Sequence, residues 1–287
     1  MKIKNLLLLV PITLSAALFV GYQTWDGTRT DLTPPEFSIS QETVQVSVSA
    51  PKTALLQGIT ARDDRDGDVT DSLLVEKISM LDGEGTVEVS FAAFDRSGNV
   101  SKGTRTARYT DYRGPRFYLN RSLAFASETG FDLMAAVNAD DPLDGNIQHR
   151  IRATSQDDSA VNNLGEHRVE FRVTNSLSDT VRLTLPVLVY SGEEYSLGVV
   201  LSDYMVYLNK GDTFDARSCL SQVKRGQDVV SFEDGTPDGY AVRIDGEVNT
   251  AAAGVYAVDY IVTNIQQTAT GNRYTSGISR LIVVVEG

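Results

Sequence analysis

Three stretches of the chain share one alternation of apolar and polar residues. Each begins at a glycine and then places an apolar side chain at every second position, in residues 85–91, 165–171 and 254–260. A two-residue period is typical of a β-strand with one buried face. The third stretch is also apolar on its other face, at Val255, Ala257 and Ile261, which predicts that this outer face is covered. The predicted inward side chains are Val87, Val89 and Phe91, then His167, Val169, Phe171 and Val173, then Tyr256, Val258, Tyr260 and Val262.

An acidic turn upstream of the first two strands is repeated as well. Residues 61–69 (ARDDRDGDV) match residues 139–147 (ADDPLDGNI) without a gap. The turns and the strands that follow them both recur after about 80 positions, which predicts a structural repeat. In the third copy the turn has drifted to residues 227–229, and a longer insertion follows it.

Short β-rich runs separated by glycine, asparagine and aspartate turns fill the rest of each copy, and we find no long amphipathic helix. This pattern predicts an all-β chain of three tandem Ig-like β-sandwich domains after an N-terminal transmembrane or signal helix. The predicted divisions are a signal-anchor segment at 1–24, a linker at 25–33, and domains at 34–111, 112–191 and 192–287, the last one divergent.

The N-terminus predicts export. Lys2 and Lys4 precede an uncharged apolar run over residues 6–22, so the basic flank is expected to stay in the cytoplasm. An uncleaved run would make a single-pass cell-membrane protein with an extracellular C-terminal portion. Cleavage after Ala17 would instead release a secreted chain, and the sequence leaves both alternatives open.

The motifs of the first copy resemble a known family. The DGDVT turn at 66–70, the strand after Gly85 and the DRSGN turn at 95–99 resemble the group-three bacterial immunoglobulin-like (Big) repeat. The resemblance covers residues 34–110 and 114–190, with more departures over 195–286. It implies a bacterial extracellular Ig-like module of the kind used as spacer or adhesive segments, and it carries no catalytic residues.

The amino-acid composition limits the classes of partner that the chain is expected to bind. The formal net charge of the 287 residues is −12, so the surface is expected to repel nucleic acid and anionic lipid. With a single cysteine, Cys219, the chain forms no intrachain disulfide. Cys219 is therefore either a free reactive thiol or a small buried side chain, and we expect the latter.

The acidic turn of the first copy is the candidate metal site. Asp63, Asp64, Asp66 and Asp68 place four carboxylates within six residues, and Asp95 is a fifth candidate ligand. Calcium takes six to eight oxygen ligands of this kind. The spacing does not fit an EF-hand loop, because valines stand at its glycine and bidentate acid positions. The alternative is a tight turn in which the aspartates cap backbone amides.

No other residues predict chemistry. His149 and His167 have no recognisable nucleophile or carboxylate partner, so we expect structural roles for them. Tyr109, Tyr112 and Tyr118 form either a glycan-stacking platform or packing between domains. We find no phosphate-binding glycine loop and no nucleophile motif, and the chain is expected not to be an enzyme.

The predicted function is a membrane-tethered extracellular spacer, structural or adhesive module. The alternative is a receptor module that binds a glycan or a protein through loops of the third domain, with the insertion at 231–249 as its recognition surface. The expected partner is an unidentified glycan or protein of the cell envelope or the extracellular space, besides the membrane itself. A hydrolase of wall polymers is the third reading, but the sequence has no catalytic constellation for it.

Overall fold

The first domain of the computed structural model consists of short strands, in most of which buried and exposed residues alternate. The structure describes residues 14–22, 31–82, 85–155, 163–192, 195, 197–231, 240–268 and 271–287. The seven strands of the first domain are β1 (Glu36–Ile39), β2 (Thr43–Val46), β3 (Ile59–Asp63), β4 (Gly67–Asp68), β5 (Leu74–Ile78), β6 (Thr86–Phe94) and β7 (Val100–Tyr109). They form two sheets, in the orders β1-β3-β4 and β2-β7-β6-β5, and short 3-10 helices occupy Lys52–Leu56 and Thr70–Ser72.

The second domain repeats this arrangement strand by strand. Its strands are β8 (Arg116–Leu119), β9 (Ala124–Ala126), β10 (Val137–Asp141), β11 (Gly145–Asn146), β12 (Arg152–Ser155), β13 (Gly165–Thr174) and β14 (Thr180–Tyr190). The sheet orders are β8-β10-β11 and β9-β14-β13-β12. A one-turn helix spans Leu133–Ala136, and 3-10 helices lie at Ser127–Thr129 and Gln148–Arg150.

The third domain has the same topology despite its weaker sequence signal. Its strands are β15 (Gly198–Leu201), β16 (Met205–Asn209), β17 (Leu220–Arg225), β18 (Asp228–Ser231), β19 (Tyr240–Asp245), β20 (Gly254–Thr268) and β21 (Gly271–Glu286), with a 3-10 helix at Ala216–Cys219. The sheets run β15-β17-β18 and β16-β21-β20-β19. The predicted fold class of three tandem β-sandwiches is therefore confirmed, while the domain boundaries themselves stay predictions.

The predicted inward residues lie in the cores. In β6, Val87, Val89 and Phe91 are buried, and their counterparts Val169, Phe171 and Val173 in β13 are buried as well. His167 shares that inner face of β13, at 3% exposure. In β20, Val258, Tyr260 and Val262 are buried and Tyr256 is partly buried.

The chain divides into two compact units, Met1–Tyr112 and Arg113–Gly287. The second unit contains both the second and the third domain, because β21 faces two cores at once. Leu281, Val283 and Val285 pack inside the third domain, whereas Ile282 and Val284 belong to the core of the second. Val255 and Ala257 of β20 pack against that same core, so the prediction of a covered outer face is confirmed there.

The predicted membrane anchor is not supported. Residues 14–22 are helical, and residues 6–13 of the predicted apolar run lie outside the described residues. Among the described residues, no helix has both the length and the apolar character needed to cross a bilayer. The predicted single-pass location is therefore wrong for the part of the chain that the structure describes.

Candidate functional site

Asp63 is buried because it continues the inner face of β3. Alternate residues of this strand, Ile59, Ala61 and Asp63, are buried, and Asp63 is only 2% exposed. Its Oδ1 accepts hydrogen bonds from the backbone N–H groups of Arg65 (2.9 Å) and Asp66 (2.8 Å). Asp63 Oδ1 therefore caps two backbone amides of the tight turn that was predicted as the alternative to a metal site.

Asp95 reaches the same end of the sandwich by the same alternation along β6. It follows buried Phe91 and Ala93 at two-residue spacing and is 8% exposed. Asn99 donates to it twice, from its backbone N–H to Oδ1 (2.8 Å) and from Nδ2 to Oδ2 (2.7 Å). Burial acts to raise the pKa of Asp95, but hydrogen bonds from Asn99 and from the Gly98 and Ser97 amides outweigh it, so the pKa lies below its ordinary value.

Asp31 is the third acidic side chain here, and the sequence analysis missed it. It lies before β1 and is 6% exposed. Asn99 fixes this segment by donating from Nδ2 to the carbonyl oxygens of Asp31 (3.1 Å) and Thr33 (3.3 Å), and Ser101 Oγ donates to the carbonyl of Pro35. One carboxylate oxygen each from Asp31, Asp63 and Asp95 lies within 4.8 Å of the other two. We call these three residues the Asp31–Asp63–Asp95 cluster.

The cluster brings three carboxylates together beside the cationic side chain of Arg65. Asp63 Oδ2 is buried and has no hydrogen-bond partner among the described residues. Asp31 Oδ1 accepts from the Thr33 N–H (3.0 Å), and its nearest cationic partner, Arg65 Nε, is 4.0 Å away. The Arg65 side chain is 46% exposed, so water screens its charge. Like charges held this close in a buried place need a cation, a proton or further donors.

The structure places the other predicted ligands outside the cluster. Asp64 is exposed. Asp66 Oδ2 accepts from the backbone N–H of Arg96 (2.7 Å). Asp68 Oδ1 accepts from the N–H of Thr70 (3.0 Å), and hydrogen bonds from Thr70 lower the pKa of Asp68. The structure therefore brings Asp63 and Asp95 together with Asp31 and directs the other three into the turn or the solvent.

The second domain contains the same place with an acid and an amide exchanged. Asp141 ends β10 as Asp63 ends β3, and Asn175 follows β13 as Asp95 follows β6. Asn175 Nδ2 donates to Asp141 Oδ2 (3.1 Å), the oxygen equivalent to the unpartnered one of Asp63. The acid and the amide have exchanged positions, since Asp95 and Asn99 of the first domain correspond to Asn175 and Asp179 of the second. At the position matching Asp31, Asp111 accepts from Ser47 Oγ (2.6 Å) and from the Val48 N–H (2.8 Å).

The remaining candidates have structural contacts. His167 Nε2 lies 2.7 Å from the carbonyl oxygen of Asn163, and His149 is exposed. Cys219 is buried, as expected. Tyr109 is buried, which raises its pKa, and exposed Tyr118 accepts a hydrogen bond from Asn146 Nδ2 (3.1 Å). Most of the predicted recognition insertion, residues 232–239, lies outside the described residues.

A second cluster of charge lies between the second and third domains, within the second unit. Arg280 is 3% exposed, and its guanidinium contacts Asp259 through Nε (2.7 Å) and Nη2 (2.8 Å). Its Nη1 lies 3.0 Å from Glu166 Oε2 of the second domain. Burial acts to lower the pKa of Arg280, but the ion pairs with Asp259 and Glu166 outweigh it and raise the pKa above its ordinary value.

Comparisons with known proteins show no family for this chain. No protein-family model matches the chain, and no curated protein matches it. Among solved structures it is similar to the extracellular domain of protocadherin gamma-B4 (12% identity, TM-score 0.20) and to Drosophila N-cadherin EC1-4 (13%, 0.23). It is also similar to mouse cadherin-23 EC22-24 (11%, 0.20). Each match covers 88% of this chain. The matched part is 49% of the protocadherin, 76% of the N-cadherin and 98% of the cadherin-23 structure, so the chain spans about half of the protocadherin.

Proposed function

We propose that the chain is a non-enzymatic structural module in which the second and third domains act as one stiff spacer unit. The observation that carries this proposal is their shared core. Met205, Ile282 and Val284 of the third domain are buried in the core of the second, with Val255 and Ala257 packed beside them. Apolar burial of this kind opposes hinge motion, because bending would expose the same side chains to water.

Polar contacts at the edge of this core fix the angle between the two domains. Arg280 joins Asp259 of its own domain to Glu166 of the second, and its backbone N–H donates to Ser122 Oγ (2.7 Å). On another part of the interface, Tyr207 Oη donates to the carbonyl oxygen of Phe117 (3.0 Å). Burial raises the pKa of Tyr207 to about 12, so this donor keeps its proton at neutral pH. Directional bonds of this kind add orientation to the packing.

Calcium is part of the proposal as a ligand of the first domain, which it would stabilise without taking part in a reaction. A spacer holds other parts of an assembly at a set distance, so the partners we propose are proteins or glycans attached to either side of it. An adhesive role uses the same architecture, with the loops at the domain ends as contact surfaces.

Distances between spin labels on the full chain test the stiffness. In a Cys219→Ser background, Arg172→Cys and Lys224→Cys place labels at exposed positions of the second and third domains. A pair inside the second domain, Arg172→Cys with Met134→Cys, is the control. We expect one distance population across the interface, as narrow as that of the control. A broad or multiple distribution would show a hinge and would refute the spacer proposal.

A further inference from the structure

We propose that the Asp31–Asp63–Asp95 cluster binds one calcium ion. Its carboxylates come from three separate parts of the first domain, namely the segment before β1, the end of β3 and the turn after β6. All three residues are at least nine-tenths buried, and one oxygen from each lies within 4.8 Å of the others. A single ion can therefore contact all three without rearrangement of the backbone.

The unpartnered oxygen of Asp63 points independently to a missing ligand. Asp63 is 2% exposed, and its Oδ1 is already used by two backbone amides. Its Oδ2 is buried and finds no donor in the part of the chain that the structure describes. Leaving a buried charged acceptor unsatisfied is costly, and native proteins rarely do so. A bound cation satisfies this oxygen directly.

The second domain shows how the same place is stabilised without a metal. There Asn175 supplies an N–H to Asp141 Oδ2, and a carboxylate becomes an amide at the equivalent of Asp95. That exchange moves the negative charge to Asp179 and provides the donor that Asp63 Oδ2 lacks. The first domain has a carboxylate at this position, where a bound cation would satisfy Asp63 Oδ2. The comparison predicts an ion in the first domain and none at the corresponding place of the second.

The chemistry of the ligands selects calcium. The cluster offers carboxylate oxygens only, without histidine or cysteine, which excludes a preference for zinc or copper. Three carboxylates leave several of calcium's six to eight positions for water. A cavity of about 230 Å³ lies beside Asp63, and Thr33, Arg62 and Asp64 help to line it.

Binding would connect the segment before β1 to the sandwich. Asp31 belongs to that segment, whereas Asp63 ends a strand of one sheet and Asp95 directly follows a strand of the other. We therefore expect calcium to slow hydrogen exchange in residues 31–39 as well as to raise the melting temperature. The inference rests on the calcium part of the proposed function and not on the stiffness of the second unit, so the two can fail separately.

Titration of the chelator-treated full chain with calcium chloride tests the site. By calorimetry we expect one calcium per chain, and we expect slower hydrogen exchange at 31–39. Asp63→Asn and Asp95→Asn each keep an oxygen for the turn amides and remove one charge. Each should weaken binding at least tenfold, about the smallest effect seen for groups that merely support metal ligands. The matched control, Asp64→Asn, removes the same charge from the adjacent exposed residue and should change the affinity less than about twofold, as expected of a screened surface charge.

The melting temperature without calcium separates a metal site from a merely structural turn. The double variant Asp95→Asn/Asn99→Asp reproduces the arrangement of Asn175 and Asp179, so its melting temperature should be the same with and without calcium. The proposal is overturned if the wild-type chain shows neither binding nor a shift in melting temperature with calcium. It is equally overturned if Asp64→Asn weakens binding as much as Asp95→Asn, because that result means diffuse attraction to an acidic surface.

Discussion

Replacing Arg280 by methionine should destabilise the junction between the second and third domains. The side chain of Arg280 is 4% exposed, whereas those of its partners Asp259 and Glu166 are 18% and 49% exposed. Methionine fills a similar volume without charge, so packing is largely kept and the main loss is the counterion of Asp259. The two acidic partners differ in exposure, which allows their contributions to be separated.

The expected magnitudes follow from these exposures. Removing one partner of a buried ion pair costs roughly 3–5 kcal/mol, and we expect about 3 kcal/mol for Arg280→Met because Asp259 keeps some contact with water. The half-exposed Glu166 should contribute less than about 1 kcal/mol, so Glu166→Gln is the mild control. The double variant Arg280→Met/Asp259→Leu removes both buried charges and should recover most of the loss.

Urea denaturation of the full chain gives the free energies, and hydrogen exchange localises the loss to β13, β20 and β21. The coupling between Arg280 and Asp259 is obtained from a double-mutant cycle. The reasoning fails if Arg280→Met and Glu166→Gln have equal small effects, since Arg280 would then act as an ordinary surface charge. It also fails if the double variant is less stable than Arg280→Met alone.

Three further predictions concern single positions. Asn175→Asp should destabilise the second domain by about 1–3 kcal/mol in urea denaturation, because it removes the donor to Asp141 Oδ2 and adds a like charge; an unchanged midpoint would contradict this. Gly103→Ala should cost about 1–3 kcal/mol, since its Cβ would lie 2.6 Å from Cζ of the fully buried Phe91, and a cost within 0.5 kcal/mol would mean that the ring can move. Burial acts to raise the pKa of Asp144, but hydrogen bonds from Ser176 and the charge of Arg150 outweigh it and lower the pKa below 3.8. The contribution of Asp144 to the stability of the folded state is therefore complete above about pH 4, and it is lost as the pH falls through the lower folded-state pKa. Asp144→Asn should flatten that acid limb of the stability curve measured between pH 5 and pH 2, and an unchanged slope would count against the assignment.

The strand alternation was sufficient to predict the fold because it is local. Val87, Val89 and Phe91 alternate with polar residues, and the structure buries all three. The same period at Val255 and Ala257 predicted a covered outer face, and that prediction is confirmed at both residues. What covers them was not predictable, because the second-domain residues beside them, such as Pro186 and Glu166, lie about 70 to 90 positions earlier in the chain. The predicted membrane anchor was inferred from an apolar run behind two lysines, and among the described residues no helix is long and apolar enough to cross a membrane.

The candidate site was predicted only in part for a similar reason. Four aspartates close together in sequence suggested a single acidic loop, but a turn directs neighbouring side chains in different directions. Of these four, only Asp63 lies at one of the alternate positions of β3 that point inward. Asp95 continues the inward positions of β6 in the same way. The inward position of both residues could have been read from the sequence. The position of Asp31 could not, because it depends on the docking of its segment through Asn99.

The parallel strand pairs determine how each domain would respond to mechanical tension. In every domain the second strand runs parallel to the last one, over four residue pairs in β2·β7, three in β9·β14 and five in β16·β21. Tension applied at the two ends of a domain pulls the second strand at its N-terminal end and the last strand at its C-terminal end. Because the two strands are parallel, these two points lie at opposite ends of the pair, and the strands are pulled past each other. The hydrogen bonds of the pair are then loaded together in shear, and they must break nearly at once instead of opening one after another. By this criterion the third domain, with the longest parallel pair, should withstand the greatest force.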